Sequence, residues 1–302
     1  MENKVPSSIS NSDRFWVAQV IGAFLLVMIV ASLTGSYFNA NKWWAHRDLQ
    51  APAFQNEVII ERYLQDGKDK EIVIVGSSAA TQLPPEGQRP SNVATLFIQG
   101  GGAMTGLEAI IKSEFTPAVV LVEVDFISRG IDLKLIDSET APFKTWLKRY
   151  LPVWRHEQNL INYAYKSRIP KFNVKDLPVY SPEESERRLA PRIQNSREFL
   201  LKKPLDEPAM RETISILNSQ VQTLEQRGCR VIFFSLPLNK GLKTTPWYAR
   251  WESMVMETLN GNQFITPSPQ KYYYTVDGIH FYMESGNDYF NFLMNVVNFN
   301  VE

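Results

Sequence analysis

Apolar positions along this chain fall into three patterns. The first is a predominantly apolar run from Phe15 to Phe38, bracketed by Arg14 and Lys42 and free of charged residues. A helix needs about 20 apolar residues to cross a bilayer core. Trp16 and Tyr37 stand near the ends of the run, where amphipathic rings favour the membrane interface. A cleavable signal peptide has a shorter apolar region, about 7–15 residues. The run therefore predicts an uncleaved single-pass anchor over residues 15–38, behind a cytoplasmic tail of residues 1–14. Lys4 and Arg14 precede the span and Lys42 and Arg47 follow it, so basic residues do not set its direction. The short tail makes "tail inside, domain outside" the simpler arrangement.

The second pattern is a set of short, continuous β-branched runs. Ile72–Val75 ends at Gly76, Val93–Ile98 ends at Gly100-Gly101-Gly102, and Val119–Val124 and Arg230–Leu236 follow. Such runs suit strands buried on both faces of a parallel sheet. The third pattern is helical. Met210, Ile214, Leu217, Val221 and Leu224 step by four and three, with Gly228 as the stop. Ala103–Lys112 reads as the helix after the second strand, and Ser285–Phe299 as a closing helix. Alternating strands and helices predict an α/β fold, a three-layer doubly wound parallel sheet. Residues 39–70 read as a juxtamembrane linker, and 71–302 as the folded domain. The stretch of about 126–206, rich in Pro, Arg, Lys and aromatics, reads as an insertion.

Composition removes classes more than it selects one. The chain has 302 residues, 32 Lys+Arg against 32 Asp+Glu, and zero formal charge, which gives no electrostatic case for nucleic acid. Its single cysteine, Cys229, excludes an internal disulfide framework and a Cys-based zinc cluster. No His-x-x-x-His or Glu-x-x-His pair suggests a metal, and no glycine pattern suggests a nucleotide, so no cofactor is expected. Trp247, Tyr248, Trp251 and the run Tyr272–Tyr274 have the shape to stack on sugars, but packing on the sheet suits most of them better.

Ligands of open α/β sheets bind beyond the carboxyl ends of the strands. There stand Gly76-Ser77-Ser78, the triple glycine, and Glu123-Val124-Asp125. Serine nucleophiles need a base and a carboxylate that fixes the base's tautomer. Of the three histidines, only His280 has a carboxylate three residues earlier, Asp277, in a turn-like setting.

These blocks resemble the SGNH, or GDSL-like, hydrolases. The family opens on a strand and Gly-Asp-Ser; here the strand leads into Gly76-Ser77-Ser78, a form similar to membrane-anchored acyl-transfer members such as D-alanyl transfer proteins. The resemblance implies a flavodoxin-like fold, Ser78 as nucleophile, and Ser77 at the place of the usual Asp. The closing Asp-x-x-His block is matched by Asp277 and His280. The second-block glycine falls within Gly100–Gly102, with Gly101 the favoured oxyanion donor beside the Ser78 N–H. The third block departs: Glu123-Val124-Asp125 has no Asn, and an ionised carboxylate cannot donate. Glu123 and Asp125 read as either structural or substrate-facing, and Ser77 is a further substrate-facing candidate.

The resemblance implies an extracytoplasmic serine acyltransferase or esterase at the inner membrane. Its reaction would be O-acylation, such as O-acetylation, of a cell-surface polysaccharide. Expected partners are the membrane, a multi-pass membrane acyltransferase and a glycan acceptor. The missing Asn motivates a rival reading: a non-catalytic glycan-binding or assembly module with the same fold.

Overall fold

Aliphatic and β-branched side chains build a five-stranded sheet in which every neighbouring pair is parallel. Its strands are β1 (Ile72–Ser77), β2 (Val93–Ile98), β3 (Val119–Glu123), β4 (Arg230–Phe234) and β5 (Gln263–Ile265), in the order β2-β1-β3-β4-β5. The structure, a computed structural model, describes residues 15–23, 26–27, 30, 52–84, 88–156, 182–259, 263–268 and 270–299. All of β3, and all but the first residue of β1 and β4, are buried. Successive strand residues point to opposite faces, so this burial requires cover on both.

The chain steps to one side from β1 to β2, then returns past β1 to lay down β3, β4 and β5. The order therefore reverses between β1 and β3, and doubly wound sheets bind ligands at such a point. Val75 pairs with Val122, and continuing that register sets Gly76 beside Glu123. On the other side Ser77 pairs with Ile98, which brings the triple glycine alongside the end of β1.

The helices expected over 103–112, 210–224 and 285–299 are present, and the other helices from residue 52 onward are not among those expected. Among the described residues from 52 onward the helices are, in chain order, α1 (Pro52–Asp66), α2 (Ala103–Lys112), α3 (Leu133–Thr140), α4 (Pro142–Tyr150), α5 (Pro182–Lys202), α6 (Glu207–Gln226), α7 (Lys240–Lys243), α8 (Pro246–Thr258) and α9 (Met283–Phe299); residues 15–23 are helical as well. The α6 stripe Met210, Ile214, Leu217, Val221 and Leu224 is buried, and Gly228 follows at φ +83°. Gln220 on that helix donates to the Met104 carbonyl and to Glu108, fastening α6 to α2.

Three expectations change. The expected linker 39–70 contains α1, which buries Val58, Ile60, Tyr63 and Leu64. The Asn56 amide donates to the Gln99 carbonyl at 2.9 Å and accepts the Gln99 N–H at 2.8 Å, so α1 holds the entry to the triple glycine. The strand β5 has three residues, too short to leave a periodic signal. The expected insertion is also divided. One compact unit comprises Met1–Asp48 and Phe143–Phe172; the other, Leu49–Pro142 and Asn173–Glu302, contains the whole sheet. Residues 24–25, 28–29 and 31–38 of the expected anchor lie outside the described residues. Among the described residues no helix is long and apolar enough to cross a membrane.

Candidate active site

The turn after β1 is built around one buried carboxylate. The Ser77 N–H donates to Glu123 Oε2 at 2.6 Å and its hydroxyl donates to Glu123 Oε1 at 3.0 Å. The Ser77 Oγ in turn accepts the Ala79 N–H at 3.2 Å and caps a short 3-10 turn, Ser78–Ala80. Gly76 is required by this approach, because a Cβ there would lie 2.6 Å from Glu123 Oε2. With Ser77 locked inward, the next residue, Ser78, is the one turned to the crevice, and it is half-buried.

The second turn lies between β5 and α9. Thr275 and Phe281 form an antiparallel bridge, and the Val276 N–H donates to the His280 carbonyl at 2.8 Å. Gly278 at the tip has φ +86°, a backbone that side chains resist. Asp277 Oδ1 accepts the N–H groups of Ile279 at 3.0 Å and His280 at 2.8 Å, so the carboxylate is fixed by its own loop. Its other oxygen lies 2.7 Å from His280 Nδ1. Burial works against the charged form of Asp277, but the bonds from the His280 ring and these N–H groups outweigh it and hold the carboxyl below its ordinary range. That bond assigns the Nδ1 proton to the Asp277 side and leaves Nε2 facing Ser78 Oγ, 3.4 Å away. Ser78, His280 and Asp277 thus form one hydrogen-bonded chain, with the His280 side chain 37 % exposed.

The other expected site residues take different places. Ser77, Glu123 and Asp125 are all buried and hydrogen-bonded, which for Glu123 and Asp125 fits the structural one of the two readings. Asp125 Oδ2 accepts the Leu236 N–H at 2.6 Å and Oδ1 accepts the Tyr248 hydroxyl. Burial raises both acids, Glu123 to about 8, with the nearby Asp125 adding to the rise and Ser77 and Arg129 opposing it. Trp251 donates to the Val124 carbonyl at 3.2 Å, so Tyr248 and Trp251 of α8 clamp the end of β3 and, with the buried Trp247, pack rather than offer a sugar platform. Cys229 is buried and its thiol is pushed up to about 12, an inert small hydrophobe.

Gly101 also departs from expectation. Its N–H donates to the Ile98 carbonyl at 3.2 Å, within the turn that Gly100 makes at φ +73°. The Gly102 N–H, next along, has no acceptor among the described residues and stands at the N-terminus of α2. Gly102 must lack a side chain, since a Cβ would lie 2.6 Å from the Phe126 carbonyl.

Sequence reasoning missed the residues that hold these loops from a distance. Arg129 donates from Nη1 to the Gly101 carbonyl at 2.9 Å. Arg192 of α5 donates to the Val276 carbonyl at 3.3 Å, and Ile193 lies against Gly278. Gly286 of α9 abuts the Gln82 carbonyl, just beyond the Ser78 turn. No periodicity marks such contacts; Arg129 and Arg192 read as ordinary surface charges. No protein-family model, no curated protein and no solved structure matches the chain.

Proposed function

We propose that the protein is a membrane-anchored, SGNH-like serine acyltransferase or esterase whose folded domain works outside the inner membrane. The observation that carries this reading is the chain from Asp277 through His280 to Ser78, at 2.7 and 3.4 Å, at the carboxyl end of a parallel sheet. Serine–base contacts of this length are common before substrate arrives and tighten in the reacting complex.

In the proposed reaction Ser78 Oγ attacks the carbonyl of an ester or acyl carrier while His280 Nε2 takes the hydroxyl proton. Asp277 stabilises the imidazolium and keeps the ring oriented. The oxyanion is met by the Ser78 N–H and, in place of Gly101, by the Gly102 N–H at the start of α2, where the helix dipole adds to the donor. The tetrahedral adduct collapses, the carbonyl carbon loses its bond to the donor's oxygen or sulfur, and His280 returns the proton to that leaving group. A sugar hydroxyl or water, deprotonated by His280, then attacks acyl-Ser78 and restores the free serine. A surface polysaccharide is the acceptor, and a multi-pass membrane partner delivers the acyl group. No metal or cofactor enters these steps.

The test is turnover of para-nitrophenyl acetate by the full chain, with Ser78→Ala as control. Ser78-dependent release of nitrophenolate supports the reading, and its absence with every activated ester overturns it. A second reading, a non-catalytic glycan-binding or assembly module, is favoured by the buried acids where the third block would supply an Asn. It predicts no turnover and saturable glycan binding that survives Ser78→Ala.

A further inference from the structure

The donor that the proposed reaction takes from the triple glycine has no side chain to fix it. Gly100, Gly101 and Gly102 have nothing to pack, and a peptide between two glycines turns at little steric cost. The segment is nonetheless fastened at both ends. At its entry the Asn56 amide bonds the carbonyl and the N–H of Gln99. At its exit Gly102 lies against the chain that leaves β3. A Cβ there would meet the Phe126 carbonyl at 2.6 Å and the Ile127 Cα at 3.6 Å.

The peptide that joins Gly101 to Gly102 carries the argument. Its carbonyl accepts a hydrogen bond from Arg129 Nη1 at 2.9 Å. A trans peptide is planar, and its C=O and N–H point in opposite directions. The bond that fixes the Gly101 carbonyl therefore also fixes the direction of the Gly102 N–H, the group with no acceptor among the described residues. A charged donor on the carbonyl also polarises the amide and makes its N–H a stronger donor.

The fold sets Arg129 in place for this. It closes the 3-10 turn Ile127–Arg129, whose last N–H donates to the Phe126 carbonyl at 3.2 Å. Its guanidinium carbon lies 4.6 Å from the centre of the Phe126 ring, a cation–π contact that restrains the side chain. Among the described residues it forms no ion pair with a carboxylate, so its charge bears on the Gly101 carbonyl.

We infer that Arg129 is a positioning residue of the oxyanion hole: through the Gly101 carbonyl it aims and polarises the Gly102 N–H that meets the oxyanion. This rests on the serine acyl-transfer reading above.

The test compares wild type, Arg129→Ala and Arg129→Lys, each as the full chain in detergent micelles, on para-nitrophenyl acetate. Arg129 is exposed, and equal melting temperatures check that the three are folded alike. Acylation and deacylation both pass through the oxyanion. In Arg129→Ala kcat should therefore fall about 10- to 100-fold, with KM within about twofold of wild type. A second readout needs no turnover. With glycine isotope-labelled at its carbonyl carbon and amide nitrogen, a carbonyl–amide NMR correlation arises only where glycine follows glycine. In this chain that means the amides of Gly101 and Gly102. In Arg129→Ala the Gly101 carbonyl and Gly102 N–H signals should move together, while the Gly101 N–H, bonded to Ile98, stays. Arg129→Lys keeps a charged donor, so its kcat should recover as far as its Gly101 carbonyl signal returns. A kcat within about twofold of wild type in Arg129→Ala overturns the inference and leaves the serine reading standing. So does a Gly102 N–H that stays while the Gly101 carbonyl moves, or a slow Arg129→Lys whose carbonyl signal is that of wild type. Wild type without Ser78-dependent turnover defeats the serine reading and this inference together.

Discussion

The two turns that meet in the crevice are held by different means. The Asp277–His280 turn is closed mainly by its own residues, since Asp277 bonds positions two and three further on and the Thr275–Phe281 bridge seals the base, with Arg192 on the Val276 carbonyl and the Asn239 N–H on the Gly278 carbonyl as its longer ties. The Ser77–Ala80 turn is held by Glu123, 46 residues away, through the N–H and hydroxyl of Ser77. On the serine side Ser77 is thus buried and fixed by tertiary structure, while the histidine side is closed largely by local bonds and is partly exposed. Damage to the first should cost stability as well as activity; damage to the second should cost activity alone.

The largest expected effect lies on the histidine side. Asp277→Asn leaves the loop able to close but releases the ring tautomer, so activity on para-nitrophenyl acetate should fall on the order of 10⁴-fold. The melting temperature should change little; a large drop would show that the turn is as tertiary as its partner.

Next comes the backbone around Ser78. Gly286→Ala sets a methyl 2.0 Å from the Gln82 carbonyl, so α9 or the turn must move. Denaturant titration should show a loss of roughly 1–3 kcal/mol or more, with activity falling in parallel. An unchanged midpoint would mean that the turn yields cheaply. Ser77→Ala keeps the backbone N–H to Glu123 but removes the hydroxyl that donates to Glu123 and accepts from Ala79, and a loss of roughly 1–3 kcal/mol is expected while the Ser78 hydroxyl remains. If Ser77→Ala abolishes turnover and Ser78→Ala does not, the nucleophile has been placed one residue too late.

The smallest effect is one of pH. Burial lifts Glu123 from 4.5 to about 8, so between these values the folded carboxyl keeps a proton that the unfolded chain has released. Wild-type stability therefore falls as pH rises through that window. Glu123→Gln removes this slope, and its stability relative to wild type should improve steadily from the low end to the high end. A constant difference across the window would mean that Glu123 titrates normally.

The same contrast explains what could be read from the sequence. The Asp277–His280 pair was legible because its geometry is local: three residues, one glycine and one turn carry the bond. Four strands were legible because burial on both faces leaves continuous apolar runs. Ser78 was legible only through a resemblance in block order. The roles of Ser77, Glu123 and Asp125 were not, since a buried carboxylate and a substrate-facing one look alike until the register sets Gly76 beside Glu123. Nor was the commitment of the Gly101 N–H to Ile98, which depends on how the triple glycine turns. The helix α1 was hidden because its apolar stripe is weak and its hold on Gln99 spans 43 residues.

The most direct test of the central claim is a mass spectrum of the full chain, quenched in acid during turnover of para-nitrophenyl acetate and digested. One acetyl group is expected, on Ser78, absent in Ser78→Ala and scarce in His280→Ala. Acetyl on Ser77, or steady turnover in Ser78→Ala with no acetyl-serine at all, would contradict it.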